Sequence, residues 1–274
     1  MSKLNVACVQ LCSSDDVHEN VATAGEFIRR AKKDGADLIA TPEMTSLVDH
    51  RPGALFPKTK SETEDEALAA LRKLAAELEV WLLIGSLPIR VTSEKCANRS
   101  FLISPQGKIE ARYDKIHMFD VELSKEEVHN ESTNFVSGDK AIVAALPQAR
   151  LGLTLCYDVR FPQLYRALAK AGAEILAVPS CFTHTTGKAH WHVLVRARAI
   201  ENGCFVIAPA QGGIHADGHE TFGHSLIIDP WGTIMAEGGT TPGLIQATLD
   251  LPQVGETRRR IPALQHDRQF TLAQ

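Results

Sequence analysis

Val80-Trp81-Leu82-Leu83-Ile84-Gly85 closes the pattern from which the fold is read. The run is apolar, short and ended by a glycine, so it reads as a buried strand. Just before it, Ala67, Leu68, Leu71, Leu74, Ala75 and Leu78 recur at helical spacing. Residues 4–9 and 37–41 read as two earlier strands. Between them, Val21, Ala24, Phe27, Ile28 and Ala31 form the stripe of a helix ending at Lys33. The order β-α-β-α-β makes a sheet with crossover helices.

Further along, residues 100–104 and 109–113 flank Pro105-Gln106-Gly107, the signature of a hairpin. Residues 116–138 are polar, acidic and without periodicity, and read as a long loop. Loops of that length inside a domain are usually functional. Strand 151–155, helix 162–170, strand 175–178, helix 189–202 and strand 204–209 follow. Pro162 suits the first turn of its helix, where a missing N–H costs nothing. A late hairpin turns at Asp229-Pro230-Trp231-Gly232. These strands are too many for one flat parallel sheet. The predicted α/β architecture is therefore two packed mixed sheets with helices outside, as one domain over residues 1–274.

Composition narrows the function classes. The chain has 274 residues, 29 Lys+Arg against 33 Asp+Glu, 44% hydrophobic and 23% charged residues. These are globular values, and a net charge of −4 offers no basic footprint for nucleic acid or an anionic membrane. The apolar stretch 80–89 is interrupted by Gly85, Ser86 and Pro88. It falls short of the about 20 residues that span a bilayer. Residues 1–16 lack the basic and apolar regions of a signal peptide, so a cytoplasmic location is expected. The six cysteines form no CxxC pair and are expected to stay reduced, most of them as small buried hydrophobes.

Several motifs are absent. Neither GxGxxG nor GxxxxGK(S/T) occurs, so no nucleotide cofactor is expected, and GxSxG is missing as well. His184, His190 and His192 lack any HExxH or Cys/His ligand spacing; they read as polar packing, and no metal is expected. Asn98-Arg99-Ser100 matches a glycosylation acceptor, which means nothing in a cytosolic chain.

Polar residues do stand where strands run out. Glu43 follows Pro42 after the second strand, Lys115 follows Tyr113, and Cys156 follows Leu155 with Asp158 and Arg160 close behind. Glu131 sits in the long acidic loop. Sites in open α/β sheets cluster at the carboxyl ends of strands. Taken singly, Glu43 also reads as a loop carboxylate, Lys115 as a solvated charge and Cys156 as an inert core thiol.

Three segments carry a resemblance. They are Thr41-Pro42-Glu43-Met44, the run from Tyr113-Asp114-Lys115 to Phe119-Asp120, and the run from Leu155-Cys156-Tyr157 to Phe161-Pro162. In this order they resemble the signature segments of the nitrilase superfamily of carbon–nitrogen hydrolases. Ala189-His190-Trp191, residues 196–202 and Gly223-His224-Ser225 resemble its later segments. The resemblance implies a four-layer α-β-β-α sandwich, subunits that associate through helices as a homodimer or larger homo-oligomer, and no cofactor. It implies Cys156 as nucleophile, Glu43 as general base, Lys115 as the cation facing the tetrahedral intermediate and Glu131 as a second, positioning glutamate. Glu126 and Glu127 are acidic neighbours of that last position.

The chemistry supports such roles. An amide carbon is a poor electrophile, and a positioned thiolate splits its hydrolysis into acylation and deacylation. A carboxylate within reach takes the thiol proton and returns it to the leaving group. Lys115 and the Tyr157 backbone N–H would stabilise the oxyanion.

Within the superfamily the segments are similar to small-acid amidases. Together with Gln265-His266-Asp267-Arg268 they are most similar to deaminated-glutathione amidases, with omega-amidases acting on α-ketoglutaramate sharing much of the pattern. The expected reaction is hydrolysis of the primary amide of a small carboxylate-bearing molecule to acid and ammonia through a thioester. An N-carbamoyl-amino-acid amidohydrolase and a non-catalytic interaction protein on the same scaffold are the alternatives. Arg160 is a candidate partner for the substrate carboxylate, or equally a structural partner of Asp158. Residues 183–188 are expected at the pocket entrance, with Thr185 and Thr186 as hydrogen-bond donors. Helix 189–202 is apolar on more than one face, as deep burial or a subunit contact requires.

Overall fold

Alternate residues of the strand Lys3–Gln10 face two different cores. Leu4, Val6 and Cys8 enter one cluster, and Ala7 and Val9 enter another. That division follows from the two-residue period of a strand, and it repeats across the molecule. A computed structural model describes residues 3–125 and 127–273. Glu126 lies outside the described residues.

Two sheets result. The first runs Gly243–Asp250, Lys3–Gln10, Leu38–Ala40, Trp81–Arg90, Cys96–Ile103 and Ile109–Asp114, with Phe135–Val136 added beside Cys96–Ile103. The second runs Ile234–Glu237, Leu226–Ile228, Phe205–Ala208, Ile175–Ala177, Arg150–Leu153 and Ile142–Ala145. In each, neighbouring parallel strands are continued on both sides by antiparallel ones. The predicted pair of mixed sheets is what forms.

The layers are read from the cores. Leu38, Leu83 and Leu249 of the first sheet meet Leu151, Ile175, Phe205 and Ile227 of the second between the sheets. Helices Val17–Lys33 and Glu66–Glu77 cover the outer face of the first, burying Ala24, Ile28, Leu68 and Leu71 against it. Pro162–Lys170 and His184–Asn202 cover the second through Leu164, Leu168, Trp191 and Val195. This is the α-β-β-α sandwich.

Some expectations are corrected. Residues 116–138 are not one loop. They hold the hairpin Asp120–Glu122 with Val128–Asn130, a 3-10 turn at Glu131–Thr133 and the strand Phe135–Val136. The long helix starts at His184 rather than at Ala189. Its first turn contains Thr185, Thr186 and Gly187, poor helix formers, and packing overrides that preference: a Cβ on Gly187 would lie 2.3 Å from Phe222 Cβ. The strand Gly243–Asp250 has no counterpart in the sequence reading, because its full-length pairing with Lys3–Gln10 joins distant parts of the chain.

Candidate active site

Glu43 is delivered by a sharp turn after Leu38–Ala40. Met44 has φ +56°, and its N–H donates to Ser86 Oγ at 2.8 Å. The turn lies directly on Gly85, where a Cβ would meet Thr41 O at 2.1 Å and Pro42 O at 2.3 Å. Only glycine allows that approach. Lys115 leaves the end of Ile109–Asp114, its carbonyl accepting from the Gly138 N–H at 2.8 Å. Cys156 opens a 3-10 turn just past Arg150–Leu153 at φ +42°, a strained backbone for a residue with a side chain. Glu131 comes from the 3-10 turn after the hairpin.

These four side chains converge on one cavity of about 230 Å³. Lys115 Nζ donates to Glu43 Oε1 at 2.9 Å and to Glu131 Oε1 and Oε2 at 3.0 and 2.8 Å. The Cys181 backbone N–H donates to Glu43 Oε2 at 2.7 Å, and the Phe119 N–H to Glu131 Oε2 at 2.7 Å. The lysine and Glu43 are almost wholly buried. A buried charge is costly unless paired, and here one cation lies between two anions.

Burial by itself pulls the Lys115 ammonium down, but the charges of Glu131 and then Glu43 outweigh it and hold it well above its ordinary range. The Cys156 thiol moves up, through burial first and the Glu43 charge second, with Lys115 opposing. At rest the site therefore holds Cys156 as a neutral thiol beside the Glu43 carboxyl group. That pairing suits proton transfer during attack better than a standing thiolate does.

Three supports were given no role at this site by the sequence. Asn98 donates its Nδ2 to Glu43 Oε1 at 2.9 Å and to Glu131 Oε1 at 3.1 Å. A buried polar residue inside an apolar strand was the available signal; the glycosylation pattern hid it. Cys181 contributes through its backbone. Asp158 ties the Cys156 turn to the lysine strand: it accepts from Tyr113 Oη at 2.6 Å, from the Leu155 N–H at 2.8 Å and from the His117 N–H at 3.1 Å.

The remaining candidates scatter. Tyr157 and Thr186 line the cavity. Thr185 is exposed and donates to Glu127 Oε2 at 3.2 Å, outside the lining. Arg160 is likewise not a lining residue. Its Nη2 lies 3.2 Å from His190 Nδ1, and its guanidinium sits 5.6 Å from the Phe182 ring centre. His184, His190 and His192 do not converge, going to Glu220, Arg160 and Glu237 respectively. Other groups do gather ligand-type atoms: His50, Asp217 and His219, and His192, His224 and Glu237.

Comparison with known proteins identifies the family. The carbon-nitrogen hydrolase family model matches residues 5–259. A deaminated glutathione amidase of Synechocystis sp. is 41% identical over 95% of this chain and 96% of its own length. The crystal structure of the C. elegans NitFhit protein superposes with a TM-score of 0.90 at 33% identity, over 98% of this chain; the chain spans 66% of that protein's length. A variant of an amidase from Nesterenkonia sp. superposes with a TM-score of 0.82 at 26% identity, covering 97% of this chain and 94% of that one. It carries the acetamide moiety of fluoroacetamide added covalently at its active-site cysteine. The chain belongs to the carbon–nitrogen hydrolase family.

Proposed function

We propose that the protein is a cysteine-dependent amidase whose substrate is deaminated glutathione. The observation that carries the reading is one cavity lined by Cys156, Glu43, Lys115 and Glu131, in which Lys115 is bonded to Glu43 on one side and to Glu131 on the other. The substrate follows the printed name of the Synechocystis relative.

Cys156 Sγ attacks the amide carbon while Glu43 takes the thiol proton. The oxyanion forms against Lys115 Nζ and the Tyr157 backbone N–H, one of the first donors of a helical turn and so without an intrahelical acceptor. Loss of one such donor costs about 10²–10³ in rate. Glu43 then gives the proton to the departing nitrogen as the C–N bond breaks, leaving a thioester. Water, deprotonated by the same Glu43, attacks the thioester, and the thiol leaves reprotonated. The sum is amide plus water to acid plus amine. Glu131 and Asn98 position the lysine and Glu43.

The leaving group differs from the sequence-based expectation. Glutathione contains only secondary amides, so its deaminated form releases an amine rather than ammonia. Ammonia release belongs to the α-ketoglutaramate alternative. Incubation with deaminated glutathione should release cysteinylglycine in the native protein and none in Cys156→Ala. Release of ammonia from α-ketoglutaramate alone would move the substrate, and inactivity of folded native protein on both would overturn the reading.

The same proposal takes residues 1–274 as one domain, since a single core joins the two sheets. It takes the protein as a cytoplasmic homo-oligomer. Six free cysteines suit a reducing compartment, and no helix among the described residues is long and apolar enough to cross a membrane. On the outer helix His184–Asn202, Val193 is 70% and Ile200 51% exposed, apolar surface that a second subunit would cover.

A further inference from the structure

Ligand-type atoms of His192, His224 and Glu237 gather within 4.8 Å of one another. His192 Nε2 lies 2.9 Å and His224 Nδ1 2.8 Å from the same oxygen, Glu237 Oε1. Each residue comes from a different part of the fold: the helix His184–Asn202, the turn leading into Leu226–Ile228, and the end of the edge strand Ile234–Glu237. Residues so far apart in the chain leave no metal-ligand spacing to read in the sequence. None of the three lines the catalytic cavity.

The two rings are fixed by their surroundings. Phe222 packs against both, stacked on His224 with ring centres 4.4 Å apart and edge-on to His192 at 5.9 Å. His224 has φ +52°, a left-handed backbone uncommon outside glycine. Its N–H donates to Gly239 O at 2.8 Å, and its carbonyl accepts from Trp191 Nε1 at 2.8 Å. Trp191 is wholly buried and directly precedes His192 on the helix. Backbone strain held in place this way points to a role for the side chain it aims.

The Glu237 carboxylate keeps capacity in reserve. Among the described residues the two imidazoles are its only ion-pair partners, and Oε2 takes no hydrogen bond. In the cluster of His50, Asp217 and His219, by contrast, each Asp217 oxygen already accepts a backbone N–H. A neutral imidazole carries its proton on either ring nitrogen. His192 Nδ1 and His224 Nε2 make no hydrogen bond among the described residues. With the protons there, both nitrogens facing Glu237 offer lone pairs, and no charge changes. Two imidazole nitrogens and one carboxylate oxygen suit a zinc-type ion rather than Mg²⁺ or Ca²⁺. The side chains of His192, His224 and Glu237 are 33%, 25% and 37% exposed, which leaves an ion open to solvent and a water free to complete a tetrahedron. We propose that His192, His224 and Glu237 form a Zn²⁺-binding site that clamps the helix His184–Asn202 to the edge strand Ile234–Glu237.

The test is calorimetric titration of the full chain with Zn²⁺ in a Cys156→Ala background, which keeps the ion off that thiol. One Zn²⁺ should bind per chain. His192→Gln, Glu237→Gln and His224→Asn should each weaken binding about tenfold or more, at least the loss seen when a group that merely orients a ligand is removed. Asparagine is chosen at 224 because it tolerates the left-handed backbone. Zn²⁺ should also raise the melting temperature of the parent and not of these variants, since an ion that binds only the folded chain stabilises it. His50→Ala combined with His219→Ala should leave binding unchanged. No binding by the parent, undiminished binding in the three variants, or binding lost with His50 and His219 would each overturn the site. None of these readouts depends on amide turnover.

Discussion

Asn98 Nδ2 stands 2.9 Å from Glu43 Oε1, and the same nitrogen reaches Glu131 Oε1 at 3.1 Å. One amide thus couples the two carboxylates that hold Lys115. Asn98→Ala should strip a donor from both and let the cluster drift. The expected loss is about 10–10² in kcat/KM, since small misplacements at a reacting centre are costly, together with about 1–3 kcal/mol of stability from the unpaired acceptors. Steady-state kinetics and urea unfolding check both. Native-like kinetics would remove Asn98 from the positioning machinery.

Glu43→Gln separates charge from chemistry. The Glu43 charge is the second cause, after burial, of the raised Cys156 thiol, and Lys115 opposes it. Without that charge the thiolate is easier to form, so the pH profile of iodoacetamide labelling at Cys156 should move to lower pH. Amide turnover should nevertheless collapse, because the group proposed as the base is gone. Labelling that moves to higher pH would contradict the electrostatic account.

Lys115→Ala leaves Glu43 and Glu131 facing each other in a buried cavity. Breaking a buried pair typically costs about 3–5 kcal/mol. The variant should be inactive and should also unfold more readily. Protonating one carboxylate relieves the repulsion, so the stability deficit should be smaller at pH 5 than at pH 8. Thermal melts at the two values test the sign.

Asp49 gives an acid limb. Hydrogen bonds from Arg51, the largest cause, and from Lys58 bring its carboxyl down to about 2 against the opposing effect of burial. A carboxyl lowered on folding stabilises above its unfolded value, near 4, and that contribution is lost as pH falls through about 2. The stability gap between native protein and Asp49→Asn should be constant above about pH 4 and close toward pH 2. A gap that persists at pH 2 would show that the substitution costs packing rather than charge.

The sheets were legible because their residues alternate or run apolar over short stretches, and the helix Pro162–Lys170 because proline marks its start. Gly243–Asp250 was not, since its pairing with Lys3–Gln10 is non-local. Glu43, Lys115, Glu131 and Cys156 stood out through their motifs, and the fold brings all four to one cavity. Asn98 did not, since a lone polar residue in a strand has no local signature.

The sequence by itself determined the two-sheet architecture, the family and the chemical types at the site, because periodicity and short motifs are local properties of the chain. Only the tertiary structure decided which groups pair with one another and which line the cavity. Asp158 turned out to serve Tyr113 and His117 rather than Arg160, and His50 and His219, far apart in sequence, gathered on Asp217 at the cavity mouth. Such pairings depend on distances of a few ångströms between distant segments, and those are set by how the two sheets and their loops pack.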